Sequence, residues 1–459
     1  MSQDSSSNKP EGVSKIEDTP LEKAFDRIVS PFEEFIHKET TSGMLLMACA
    51  VIAVVIANSS FLHSYEHLLH TSIGFTVGTL SLHKTLHHWI NDGLMAMFFF
   101  VVGLEIKREI LVGELSNIRA ASLPIIAALG GMIMPALLYA GINLNGGDLS
   151  GWGIPMATDI AFAVGVLVLL GNRVPKTLLT FLVALAIVDD LGGVLVIALF
   201  YTDKISLDAL GVAAVLLGVL IFFNRAGVRH PAPYFILGIL LWFAMLESGV
   251  HATLAGVFTA LTIPARPKYE PGNFSQLVKN LMTKFDNSYH PGESIMRNGE
   301  QRAILQTLEN GVHLVETPSQ RLERSMHVWV AFLIIPIFAL ANAGIPIEFS
   351  KIEESLTHSV TLGVIVGLVL GKIIGIAGFS WAAIKMKIGA LPEGTNFKQL
   401  FGVAMLGGIG FTMSIFIAEL AFVNKAEDLL MAKTGIFFAS LLAGILGYIW
   451  LSKVSKPQN

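Results

Sequence analysis

The sequence predicts an all-α polytopic membrane protein of about twelve transmembrane helices, two of them interrupted. Three observations carry this. Of 459 residues, 53% are hydrophobic and only 14% charged, against about 25% charged in a soluble domain; mean hydropathy is +0.64. Apolar runs long enough for a bilayer, roughly 20 residues each, recur along the chain. The strongest of them, Lys176 to Tyr201, holds two adjacent carboxylates, Asp189 and Asp190, in its middle.

Residues 1–40 are polar, with no basic segment leading into a short apolar core, so no removable leader is expected. Apolar residues from Leu21 to Lys38 recur at helical spacing, which suggests an interfacial amphipathic helix in an N-terminal tail. The first span lies within Thr40–Tyr65. Phe75 to Trp89 has partial β alternation and is too polar to cross; it reads as an external hairpin at about 71–88. Spans follow at about 89–106, 120–141, 154–170, 177–201, 207–223, 233–247 and 249–263, which makes 41–263 one run of eight. Residues 264–325 are polar, with Pro, Gly and Asn, and read as a loop insertion with a short helix near Gln301–Leu308. Spans at 328–344, 359–384, 399–423 and 431–451 fill 326–452, and 453–459 is a short tail. If the ends of the spans alternate, 25 of the 31 Lys and Arg fall on the side of the two termini and five on the other; Lys372 lies within a span. The positive-inside bias then places both termini in the cytoplasm.

Charges inside spans point to function. A carboxylate at the midplane costs about 2.5–3.5 kcal/mol or more, so an adjacent pair needs a cation, a proton or a buried base to offset it. A soluble buried helix with capping aspartates is the alternative. Asp159, beside Thr158, sits in WGIPMATDIAFAVG, where Pro155 disturbs the helix ladder. GGIGFTMS, from Gly407 to Ser414, would interrupt a second span; close helix packing through small residues is the alternative there. Two broken spans, one per half, point to an inverted-repeat transporter with its site at the break. Lys372, the one basic residue deep within a span, must be paired or uncharged at that depth. Adjacent helical residues point about 100° apart, so the two carboxylates cannot face one point equally; Asp190 is taken for the cation and Asp189 for Lys372, a split that the family resemblance below supports and helical geometry alone does not decide. Glu105, Lys107, Arg108, Glu109 and Glu114 read as either a solvated helix end or a functional group. His251, a lone His among small residues, reads as a hydrogen-bonded buried residue or a group titrating near neutrality. One cysteine, Cys49, excludes an internal disulfide and a Cys-based metal site. Nothing suggests nucleic-acid binding or a cofactor.

The segments NDGLMAMFFFVVGLEIKRE, ATDIAFAVGVL, ALAIVDDLG, ESGVHATLAGV, LERSMHVWVAF, FALANAG, VLGKIIGI and GGIGFTMSIFIAELAF resemble, in order, the bacterial sodium/proton antiporter A family, NhaA. That family is itself among the examples from which the broken-helix rule is drawn. The resemblance spans about residues 20 to 455. It implies an electrogenic, pH-regulated exchanger of the inner membrane, not an enzyme, that exports Na⁺ or Li⁺ and admits H⁺. It implies Na⁺ or Li⁺ carried transiently at Asp190 and Asp189, with Asp159, Thr158 and Lys372 contributing. It also implies a cytoplasmic pH-response cluster of Glu105, Arg108 and Glu109 that draws on Glu323 and His327, a separate pH-associated histidine, His251, and a homodimer paired through the hairpin. Three departures stand out: Ile373 follows Lys372 and Val328 follows His327, where the family commonly has Pro, and the 264–325 insertion is longer than usual. A sodium-coupled symporter of an organic solute could share this architecture. An intramembrane aspartyl protease would need a Gly-x-Gly-Asp arrangement that the chain lacks.

Overall fold

A computed structural model of the chain describes residues 39–455 except 78–79, 145, 203–204, 268–270, 291–293 and 347–351. The amphipathic helix expected at Leu21 to Lys38 lies outside the described residues.

Outside the 264–325 segment and a short helix at Ile352–Thr357, twelve helical passages of nine residues or more are present among the described residues. Eight are long and apolar enough to cross a membrane unaided: α4 (Ile118–Asn143), the broken passage from Leu149 to Val168, α6 (Lys176–Phe200), α7 (Leu207–Arg225), α8 (Pro231–Ser248), α12 (Pro318–Asn342), α13 (Ser359–Lys385) and α16 (Ala426–Val454). Two more are bent pairs. α1 (Glu39–Ala57) turns by 111° into α2 (Leu62–His70), and α14 (Phe397–Leu406) by 46° into α15 (Phe411–Ala421). The remaining two are shorter: α3 (Met95–Leu111), entered through a π-helical turn at Trp89–Leu94, and α9 (Leu254–Thr262). Between α2 and α3 an antiparallel hairpin pairs β1 (Ser72–Val77) with β2 (Leu80–Thr85). The Trp89 indole anchors it, donating to the Ile73 carbonyl at 2.9 Å.

The helices pack in two groups. In one, α3 lies against α9 and α12, α12 against α1, and α8 against α7 and α9. In the other, α4 lies against α6 and α13, and α16 against α13, α14 and α15. The groups touch where α1 meets the end of the Leu149–Val168 passage, where α3 meets α6, and where α12 meets α15. Within the second group, α4 and α13 approach backbone to backbone. A Cβ on Gly130 would run into the Gly375 carbonyl, and one on Gly371 would lie 2.7 Å from Pro135 Cα. Only glycine allows that approach, and it sets Lys372 deep in the group.

The 264–325 segment differs from the short helix expected near Gln301–Leu308. It forms two packed helices, α10 (Pro271–Asn287) and α11 (Gly299–Val315). Asn298 caps α11, accepting from the Gln301 amide at 3.0 Å. The polarity that argues against a span is here the outer face of an amphipathic hairpin.

Candidate functional site

The passage from Leu149 to Val168 is two short helices in sequence. A 3₁₀ stretch, Leu149–Met156, contains Pro155, which has no amide proton to give. Ala157 is extended, and Asp159 starts α5 (Ile160–Val168) as its N-cap. Opposite, α14 ends at Leu406 and α15 starts at Phe411, with Gly407–Gly410 between. A Cβ on Gly408 would fall 2.5 Å from the Leu368 carbonyl oxygen, so glycine lets the neighbouring chain in.

The two breaks satisfy each other's orphaned groups, which is how non-helical backbone is tolerated at this depth. The Asp159 amide donates to the Ile409 carbonyl at 2.7 Å. The Thr158 hydroxyl donates to the Gly407 carbonyl at 2.9 Å, and the Ser414 hydroxyl to the Ile154 carbonyl at 2.8 Å. The Asp159 carboxylate accepts from the Phe162 amide at 3.1 Å and the Thr412 amide at 3.0 Å, and from the Thr412 hydroxyl. The N-termini of α5 and α15 thus both point their positive ends at Asp159. Every donor aimed at Asp159 comes from these two passages, so it works as the rivet of the crossing.

Lys372 enters from α13 between two π-helical turns, Gly367–Gly371 and Ile373–Ala377. Such turns shift a side chain's direction and concentrate at functional sites. The ammonium is 0% exposed. It donates to Asp189 Oδ2 at 2.6 Å, to Thr158 Oγ1 at 3.0 Å and to the Met156 carbonyl. That carbonyl closes the 3₁₀ stretch, so a negative helix end faces the positive charge. Asp189 and Asp190 are 1% and 5% exposed, and Asp189 Oδ1 and Asp190 Oδ2 are buried with no hydrogen-bond partner. The charges of Asp189, Glu105, Asp159 and Lys372 all bear on Asp190. Asp159, Thr158, Asp189, Asp190 and Lys372 therefore form one cluster. Two buried carboxylate oxygens without a protein donor are costly unless something fills them. A proton or a small hard cation, which takes oxygen ligands, suits them.

A second group lies at the end of α3. Arg108 donates to Glu109 Oε1 at 2.9 Å and pairs with Glu323 of α12. Glu105 feels the charges of Glu323, Arg108 and Glu109. His327 is four residues after Glu323, on the same helix face. His251 is not in this group. Its Nε2 meets the Tyr201 carbonyl just past the end of α6, roughly 16 Å along the helix from Asp190 at 1.5 Å per residue. The five residues of the expected cytoplasmic cluster thus lie about the end of α3 and the start of α12, and His251 lies apart from them, near the end of α6.

Sequence reasoning misses the role of one residue and the presence of another. Lys107 caps α9, donating to the Leu261 carbonyl at 2.7 Å and to that of Ile263; its place in a charged helix end gives no sign of this. Glu419, an acidic residue inside the 399–423 span, carries a signal that apolar length alone does not register.

The family model described as Na⁺/H⁺ antiporter 1 matches residues 33–451. The chain is 54% identical over 438 residues to the Na(+)/H(+) antiporter NhaA 1 of Saccharophagus degradans, covering 95% of this chain and 94% of that one. It is 54% identical over 440 residues to the Na(+)/H(+) antiporter NhaA of Sulfurimonas denitrificans, covering 96% and 99%. To the Na(+)/H(+) antiporter NhaA of Syntrophobacter fumaroxidans it is 49% identical over 437 residues, covering 94% and 92%. None of these names supports the solute-symport alternative.

Proposed function

We propose that this chain, which belongs to the Na⁺/H⁺ antiporter 1 family, exchanges Na⁺ for H⁺ through one seat shared by the two ions at the crossing of its broken helices. The observation that carries the site is the pair of partnerless oxygens, Asp189 Oδ1 and Asp190 Oδ2, buried beside the Lys372–Asp189 ion pair. Lys372 neutralises Asp189 and the two helix N-termini compensate Asp159. Asp190 is left as the carboxylate whose charge the protein does not match. A proton or a sodium ion on Asp190 supplies that match, and each excludes the other.

Exchange follows from competition at a seat that opens to one side at a time. Where protons are scarce the seat takes Na⁺; where they are abundant they displace it. Titration belongs to the coupled carboxylates rather than to one of them. The two helix groups rock against each other along the α1, α3–α6 and α12–α15 contacts. Li⁺, smaller and harder, is carried in the same seat. Exchange is electrogenic: loading Na⁺ on Asp190 discharges more than one proton from the coupled carboxylates, so more protons move in than cations move out. The protein sits in the bacterial inner membrane with both termini cytoplasmic, which puts Arg108, Glu109, Glu323 and His327 on the cytoplasmic face. Glu105 joins that group to the seat electrostatically and gives exchange its pH response. His251, at the opposite end, tunes it separately. The β1–β2 hairpin pairs two protomers.

The test is exchange by purified protein in proteoliposomes. Asp190→Asn should abolish Na⁺-driven proton movement while the thermal melt stays cooperative. Near-normal exchange in that variant would remove Asp190 from the seat.

A further inference from the structure

On the face opposite Arg108 and Glu323, a second polar cluster spans the two helix groups. His87, on the approach to α3, is 21 residues before Arg108, about 30 Å along a helix at 1.5 Å per residue. Its Nε2 lies 3.0 Å from Asn342 Oδ1, at the end of α12, and 3.8 Å from Glu419 Oε1 of α15. The buried Asn342 amide donates to Asn91 Oδ1 at 2.8 Å and to the Phe338 carbonyl at 3.0 Å. Glu419 is held by Lys433 of α16, with Nζ to Oε1 at 2.6 Å, and both side chains are 13% exposed. His87, Asn91 and Asn342 belong to the first helix group; Glu419 and Lys433 belong to the second.

We propose that His87, Asn342, Glu419 and Lys433 form an acid-released clasp, which holds the two groups together on this face and parts each time the carboxylate seat opens to it. This rests on the exchange cycle proposed above. The sign follows from the arrangement. The neutral imidazole donates to Asn342 Oδ1 and completes the network. Glu419 is already neutralised by Lys433, so a proton added to His87 in place is an unmatched charge in a half-dehydrated cluster. The titratable groups bearing on His87 are Glu419, Lys433 and His70 of α2. Burial pulls the imidazole below its ordinary value; Glu419 and the Asn342 hydrogen bond act against this, and Lys433 and His70 with it. A group that takes a proton more readily when released from a contact is driven out of it by acid. Protons on this face then favour the state in which the seat opens to them.

The test compares exchange by wild type and His87→Gln in proteoliposomes, with the pH on the clasp side varied from about 5.5 to 7.5, the range in which histidine titrates. Gln keeps a donor for Asn342 but takes no proton. The ratio of wild-type to variant rate should rise about fivefold as that side is acidified, the size of a partly exposed charge contact. A constant ratio overturns the proposal. As a second measurement, His87→Cys and Glu419→Cys are combined in a Cys49→Ser chain and joined by a short reducible bifunctional thiol reagent. The joined protein should lose exchange and recover it on reduction; undiminished exchange in fully joined protein overturns the clasp. Asp190→Asn separates the two ideas. If wild type exchanges and Asp190→Asn is silent, a flat His87→Gln ratio sinks the clasp alone. If wild type itself moves no protons on Na⁺ addition, the exchange reading fails.

Discussion

Replacing Lys372 by Met keeps most of the side chain's length and deletes its charge. The ammonium is fully buried and makes three hydrogen bonds, to Asp189, Thr158 and the Met156 carbonyl. Removing it leaves the buried Asp189 carboxylate without its ion-pair partner, directly beside Asp190. Breaking a buried ion pair on one side costs about 3–5 kcal/mol, mostly for the charge left behind. Removing both partners costs far less, because two apolar or amide groups of similar shape replace them. Lys372→Met should therefore lower the thermal midpoint of the purified protein markedly. Lys372→Met combined with Asp189→Asn should restore most of that loss, with a coupling of about 2–3 kcal/mol, at the upper end for residues in one network. The assay is thermal unfolding in detergent of wild type, both single variants and the double variant. A Lys372→Met midpoint equal to wild type, or a double variant no more stable than Lys372→Met, would refute the argument that the pair is a matched buried charge. Ion selectivity between Na⁺ and Li⁺ should change less than stability, because Asp190 Oδ2 is untouched.

Two further outcomes follow from the same geometry. Thr412→Val removes the hydroxyl that donates to Asp159 and should cost about 1–3 kcal/mol in thermal stability and slow exchange, whereas Thr412→Ser should keep both; equal behaviour of the two variants would show that the hydroxyl does not hold the crossing. At the opposite surface, burial alone would raise the Asp148 carboxyl, but the Lys425 ammonium and the Ser150 amide outweigh it and hold it below the usual carboxylate range. Its stabilisation is then present above about pH 4, the ordinary value, and lost as pH falls through the lower folded one, so Asp148→Asn should cost under about 1 kcal/mol at neutral pH and nothing in strong acid, read by melts across pH.

Much of the site is legible in the sequence because lipid makes exceptions conspicuous. Asp159, Asp189, Asp190 and Lys372 stand out as charges in apolar runs, and Pro155 and Gly407–Gly410 mark backbone that cannot stay helical. Which oxygens remain free is not legible. It depends on Thr412 and Thr158 spending their hydroxyls on Asp159 and Gly407, which only the crossing of distant segments decides. The same holds for the split of His251 from Glu323, since nothing local says which end of the molecule a residue will reach. The helices of 264–325 are hidden for a different reason. Their apolar stripes are short, and Pro, Gly and Asn at their ends resemble a loop until Asn298 is seen to cap α11. His87 looks like any loop histidine until Asn342 and Glu419 close on it.

The most direct measurement of the shared seat is Na⁺ binding by the purified protein at several pH values, with proton release followed in weakly buffered solution. If each sodium ion displaces more than one proton from the coupled carboxylates, as electrogenic exchange requires, the dissociation constant for Na⁺ should rise more than tenfold for each unit of pH lowered through the titration. Each ion bound should release protons, and Asp190→Asn should do neither. A dissociation constant that does not move with pH, or Na⁺ binding without proton release, would contradict it.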